Sequence, residues 1–232
     1  MKKTTLALAL AAMTLAPAAF AYEKGDILVR GGLTTVAPDD SSTNILVGGA
    51  DFALGGQTVG GVNVDSNTQL GLNVAYFFTP HWNVEVLAAT PFSHDIDLGD
   101  GTNLASTKHL PPTVTANYFF ADPAAKFQPY VGVGLNYTIF FDEEFNGATA
   151  GVIETATGGA VVSDLDLDAS FGFSAQAGAD YFFSDDMFIN ASVRYIDIET
   201  EADFKVSGSD IGKIESVTID PWVYTVSIGY KF

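Results

Sequence analysis

The chain ends on Trp222-Val223-Tyr224-Thr225-Val226-Ser227-Ile228-Gly229-Tyr230-Lys231-Phe232. Every second residue is large and apolar: Trp222, Tyr224, Val226, Ile228, Tyr230 and Phe232. The residues between them, apart from Val223 and Lys231, are small and weakly polar. A period of two marks a β-strand with two unlike faces. The fold turns on which of those faces meets oil.

The same rhythm recurs along the chain. Residues 69–78 place Leu70, Leu72, Val74, Tyr76 and Phe78 on one face, with Gln69, Gly71, Asn73, Ala75 and Phe77 on the other. Residues 82–90, 113–120, 130–141, 171–183 and 189–195 repeat the pattern. With residues 27–36 and the C-terminal segment they make eight strands. One face is aromatic and aliphatic; the other mixes glycine, amides, hydroxyls and a few charges. A soluble barrel carries the opposite polarity, with charge outside and hydrocarbon within. Strands of this length suffice to cross a bilayer. A closed barrel is the β-structure that leaves no unpaired edge in lipid. The predicted fold is therefore an all-β, eight-stranded antiparallel transmembrane β-barrel with its greasy face outward.

Composition agrees. The 232 residues carry Lys+Arg 10 and Asp+Glu 28. Residues 1–21 hold two of the bases and no acid, which leaves a balance of about −20 in the remainder. Such a surface repels phosphate, so nucleic acid is excluded as a partner. Aromatic residues at 12% and a mean hydropathy of +0.22 argue against a disordered acidic chain. There is no cysteine, so disulfides, thiolate zinc sites and thiol nucleophiles do not arise.

The first residues set the compartment. Lys2 and Lys3 precede the apolar run Leu6-Ala7-Leu8-Ala9-Leu10-Ala11-Ala12, and Ala19-Phe20-Ala21 closes it. This is the form of a secretory signal peptide. Cleavage is expected after Ala21, giving residues 22–232 as one barrel domain. The predicted connections alternate in length. Residues 79–81, 121–128 and 184–187 are short, while 37–66, 91–110, 142–169 and about 200–216 are long. Outer-membrane barrels have short periplasmic turns and long outer loops, so both termini are placed in the periplasm. The aromatic residues crowding the short turns (Tyr76-Phe77-Phe78, Trp82, Tyr118-Phe119-Phe120, Tyr181-Phe182-Phe183, Tyr230 and Phe232) read as an interfacial girdle. A terminal Phe232 after alternating apolar residues resembles the signal read by the outer-membrane assembly machinery.

At this point the chain resembles the OmpW family of small outer-membrane barrels. The carrying segments run in order through nearly all of residues 22–232. They are N-T-Q-L-G-L (67–72), V-E-V-L-A-A-T-P-F (84–92), H-L-P-P-T (109–113), K-F-Q-P-Y-V-G-V-G-L-N-Y-T (126–138), S-D-L (163–165), A-G-A-D-Y (177–181), Y-I-D-I-E-T (195–200) and D-P-W-V (220–223). The resemblance implies a Gram-negative outer-membrane location and a narrow, largely hydrophobic lumen. It also implies binding or passive passage of small hydrophobic molecules, with release sideways through the wall. A leucine and a tryptophan form the family's constriction. Leu87 matches the leucine, but the tryptophan position falls on Arg194, a cation in place of an aromatic plug.

The alternation itself turns Glu85, Leu87, Arg194, Arg30 and Phe119 inward. A barrel of eight strands is just wide enough to be filled by side chains or to hold one small ligand. Unpaired charges there are costly, so Glu85 is expected to pair with Arg194 or Arg30. Two readings stay open: a polar constriction that tunes selectivity, or an ion pair that fills the core of a structural barrel whose acidic loops bind partners or ions.

Other candidates carry less. Asp164, Asp166 and Asp168 alternate and can share a face, as calcium ligands do, but no EF-hand pattern surrounds them. Asp95, Asp97 and Asp100 read as solvated rim, where divalent ions can bridge to lipopolysaccharide. His81 falls in a turn. His94 and His109 flank one outer segment without metal-ligand spacing and read as surface or packing residues. Ser93 and His94 are adjacent on a strand and point oppositely, so no hydrolytic triad emerges. No enzyme chemistry, metal or cofactor is expected. The expected partners are membrane lipid, lipopolysaccharide, small hydrophobic solutes and the assembly machinery.

Overall fold

The computed structural model describes residues 22–232; the predicted signal peptide lies outside the described residues. Eight strands close into one antiparallel barrel. They are β1 (Ile27–Ala37), β2 (Asn67–Thr79), β3 (Trp82–Ala89), β4 (Thr113–Phe119), β5 (Phe127–Phe145), β6 (Ser170–Phe182), β7 (Met187–Ile196) and β8 (Trp222–Lys231). Each pairs with its sequence neighbours. β8 returns to β1, with Leu28 opposite Lys231 and Ala37 opposite Trp222. Closure removes the edges that lipid could not hydrogen-bond.

The faces sort as the period-two pattern requires. Val133, Phe171 and Val226 are exposed at 69, 68 and 67% on the outside, in a band with Leu33, Leu70 and Ile228. Their inward neighbours Thr115, Asn117 and Asn136 are buried. Glycine opens room inside: a β-carbon on Gly132 would collide with Asn117, and one on Gly229 with the ring of Phe188. No helix among the described residues is long and apolar enough to cross a membrane. The crossing is made by strands.

The aromatic clusters divide between two tasks, which corrects their reading as one girdle. Tyr76, Phe78, Trp82, Phe120, Tyr181, Phe183, Tyr230 and Phe232 face out. Phe77, Phe119 and Phe182 lie in the opposite phase. With Tyr22, Leu28, Ala75, Tyr130 and Phe188 they fill the barrel at its short-turn end. Tyr22 stacks on Phe77 at 4.3 Å and meets Phe119 and Phe182 edge-on.

The long connections are largely ordered strands rather than loops. Phe92–Leu98 pairs with Asn103–Leu110, and Asn103–Leu110 with the upper part of β5. A second sheet joins Val162–Leu167, Glu199–Val206, Ser209–Thr218, Leu46–Val47 and Ala50–Asp51. The reason is apolar residues at intervals along the connections (Ile45, Val62, Leu104, Phe204 and Ile214) that bury one another above the membrane. Residues 145–163, which composition leaves undecided, contain α1 (Gly147–Thr157). Asn146 caps it by accepting from the N–H groups of Ala148 and Thr149. Gly158, at φ 77°, ends it in the left-handed conformation. Ile153 turns from the helix into the apolar cluster.

Candidate functional site

Two stacked compartments lie inside the molecule: a charged plug within the membrane-spanning barrel and an apolar chamber above it.

The plug is built from inward positions on five strands. Glu85 of β3 accepts from both arginines: Arg30 Nη1 reaches Oε2 at 2.6 Å and Arg194 Nη2 reaches Oε1 at 2.6 Å. Arg30 also donates to Asp180 Oδ2 at 2.8 Å. Asp180 takes two further bonds, from Tyr22 Oη at 2.7 Å and Asn190 Nδ2 at 2.7 Å. Gln176 receives Arg194 Nε at 3.1 Å and donates to Asn117 at 2.6 Å. Asn117 in turn donates to Asn83 at 2.9 Å. The Arg30 guanidinium also lies over the rings of Phe188 and Tyr130, at 5.5 and 5.7 Å. All four charged groups are at least 95% buried at the side chain, and their two positive and two negative charges cancel. Burial of charge is tolerable only where each charge meets an opposite one, as here, although Arg30 Nε has no partner among the described residues.

This arrangement corrects the expectation of a largely hydrophobic lumen: the membrane-spanning lumen is filled, charged and polar at its middle and aromatic at its periplasmic end. Glu85 engages Arg30 and Arg194 together rather than one of them. Leu87 is inward and buried, two residues along β3 from Glu85. Phe119 stands apart from both, in the aromatic cluster at the periplasmic end. Asp180 and Gln176 are inward polar residues on β6; the lone carboxylate in an inward strand phase is the signal that marks Asp180, and Gln176 has only its inward phase. Tyr22 carried no signal, because it precedes β1 and enters the barrel through a bend at Gly25.

Above the plug the chamber encloses about 140 Å³. Its walls are hydrocarbon from Ile45, Val62, Ile96, Leu104, Phe140 and Phe204, with His94, His109 and Thr107 the polar side chains among them. The histidines are interior packing residues, not surface ones. Their rings stack at 4.8 Å with planes 8° apart, and Phe92 continues the stack at 5.4 Å from His109. Parallel planes set the in-plane lone pairs side by side rather than toward one ion, so the pair is not a metal centre. Among the described residues no three His, Asp or Glu side chains converge for a metal. Asp164, Asp166 and Asp168 face solvent, and Asp164 pairs with Lys205 at 3.4 Å. Asp97 accepts from Asn103. Thr102 N–H holds the Asp100 carboxyl below its ordinary range. Asp95 and Ser93 are exposed. His81 holds the Phe119 carbonyl at 2.9 Å, beside the turn.

Burial keeps the chamber histidines neutral. Removal from water pushes His109 down to about 3, with its neighbour His94 adding to the effect. Burial lowers His94 as well, against the pull of the Asp65 carbonyl and carboxylate. An unfolded chain takes up protons on histidine below about pH 6.5, while folded His109 resists until about pH 3 and His94 is shifted in the same direction. Unfolding therefore binds protons in that window, and stability falls as pH falls through it. From pH 7 to pH 5 the His109 contribution alone is about 2 kcal/mol. Denaturant titrations of the refolded protein at the two pH values should show this loss, and His109→Leu should remove most of it.

Between plug and chamber the wall is interrupted. The β3–β4 ladder stops at Leu87 opposite Thr113, and pairing resumes at Phe92 opposite His109. Pro91, Pro111 and Pro112 fall in the gap and have no N–H to bridge it.

A closed antiparallel barrel with a lipid-facing apolar band, filled core and elaborated outer strands is an outer-membrane β-barrel. The chain belongs to the OmpW family, whose profile matches residues 23–232. It is 47% identical to outer membrane protein W of Vibrio cholerae over the whole of both chains. The crystal structure of OprG from Pseudomonas aeruginosa, 38% identical, superposes with a TM-score of 0.77 over 93% of this chain and 99% of that one. A more distant relative from Pseudomonas aeruginosa, 27% identical over the whole of both chains, is named for a dibenzothiophene metabolism operon. The protein resides in the outer membrane of a Gram-negative bacterium, in contact with its lipid.

Proposed function

We propose that the barrel passively conducts small hydrophobic molecules, taking them into the outer chamber and releasing them through the wall into the membrane. The observation that carries this is an apolar chamber, partly open, lying over a lumen filled by side chains. A solute entering from outside partitions into hydrocarbon at Ile96, Phe140 and Phe204. The ion network and the aromatic cluster bar the straight route to the periplasm, which favours lateral exit at the Pro91–Pro111–Pro112 gap, with Leu87 on its lower side. The relative named for an operon of dibenzothiophene metabolism, an aromatic apolar compound, is consistent with such a solute. Phe232 is the end presented to the assembly machinery, and the acidic outer strands are where divalent ions bridge to lipopolysaccharide.

The test uses vesicles whose outer leaflet carries lipopolysaccharide. The protein should speed entry of toluene and yield no ion conductance in a planar bilayer. Conductance without toluene entry would overturn the reading. A plugged structural barrel, favoured by the completeness of the ion network, would show neither.

Arg194→Trp separates gating from filling. The substitution removes one partner of Glu85 and places the aromatic residue that the family resemblance leads one to expect. If Arg194 restricts passage, toluene entry should change severalfold; if it only fills the core, entry stays constant while stability drops.

A further inference from the structure

The polar groups in the chamber wall point beyond simple hydrocarbons. We propose that the chamber is a binding site for single-ring aromatic molecules bearing a hydroxyl, with His109 and His94 as the hydrogen-bonding partners. This rests on the chamber being a solute site and specifies its ligand class.

Size sets the first constraint. A cavity of about 140 Å³ is close to the roughly 150 Å³ apolar cavity that holds benzene in an engineered protein. Chemistry sets the second. Both imidazoles are about 2% exposed. His109 Nδ1, His109 Nε2 and His94 Nε2 have no hydrogen-bond partner among the described residues. A buried polar atom left unbonded is costly, and a chamber made only for hydrocarbon would be better lined with leucine or phenylalanine.

Tautomers fix what the site offers. His94 Nδ1 lies 2.6 Å from the Asp65 carbonyl and so donates to it, which leaves Nε2 as an acceptor. Neutral His109 brings one donor and one acceptor. A hydroxyl both donates and accepts, and can satisfy an imidazole lone pair and the His109 N–H. A hydrocarbon offers neither. A carboxylate only accepts, and would carry an unpaired charge into hydrocarbon. His109 is held by ring contacts with Phe92, His94 and Phe140. The imidazole nitrogens are covered in the chamber wall, so a ligand reaches them only once the His109 ring turns, and no hydrogen bond among the described residues holds that ring back.

Phenol and toluene are near-isosteric probes. Their binding to the refolded barrel in lipid nanodiscs, each corrected for partition into lipid, should favour phenol by roughly tenfold, the scale of one hydrogen bond. In His109→Leu the preference should fall to about one while toluene still binds; His109→Gln should recover part of it. Phenol, but not toluene, should shift the imidazole ¹⁵N resonances of His109 in the unaltered protein, a readout that needs no variant to fold. Toluene binding without a phenol preference, a preference that survives His109→Leu, or unmoved ¹⁵N resonances would overturn the proposal and leave the hydrophobic-solute reading standing. If neither probe binds the unaltered protein, both readings fall.

Discussion

Replacing Glu85 with leucine is expected to destabilise the barrel by about 3–5 kcal/mol, the usual cost of stripping one partner from a buried ion pair. Among the described residues Glu85 is the only carboxylate that Arg194 contacts, and it shares Arg30 with Asp180. Its loss leaves two guanidinium groups facing one buried carboxylate. Removing Arg194 as well restores neutrality: the Arg30–Asp180 pair at 2.8 Å remains intact. The double variant Glu85→Leu with Arg194→Leu should therefore recover most of the stability lost by the single one. Urea unfolding in lipid vesicles measures both. A double variant as unstable as the single one would show that geometry rather than charge balance holds the plug.

Ala202→Phe should abolish most toluene entry, by tenfold or more, while the barrel still folds. Ala202 is buried and lines the chamber, opposite Leu167 and two residues before Phe204 on its own strand. The added ring is about the size of the molecule the chamber can hold. Overpacking costs typically 1–3 kcal/mol, and this falls on the outer strands, away from the closed ladder that defines the barrel. Vesicle entry assays on folded protein, identified by its resistance to unfolding in cold detergent, check the outcome. Unchanged entry would place the route outside the chamber.

The two expectations draw on different kinds of information. Glu85, Arg30 and Arg194 were placed inside the barrel by strand phase alone. A one-residue slip would turn every side chain to the other face, so phase is strongly fixed wherever one face meets lipid. The same alternation made the eight strands and their polarity legible, the lengths of the connections gave their orientation, and the C-terminal stretch from Trp222 to Phe232 was enough to pose the question. The aromatic runs were only half legible. Tyr76-Phe77-Phe78 holds outward and inward rings in one tripeptide, and composition cannot part a girdle from a plug.

What sequence alone determined is what repeats every two residues: the strands, their lipid face, and the charges turned away from lipid. Tertiary structure decided which charge meets which, because Arg30, Glu85, Asp180 and Arg194 lie on four strands and converge only when the barrel closes. It decided the chamber too. Ile45, His94, Phe140, Ile153 and Phe204 come from five separate segments with no shared period. Hydrophobic burial is non-directional, so nothing local in those segments states which other segment each will cover.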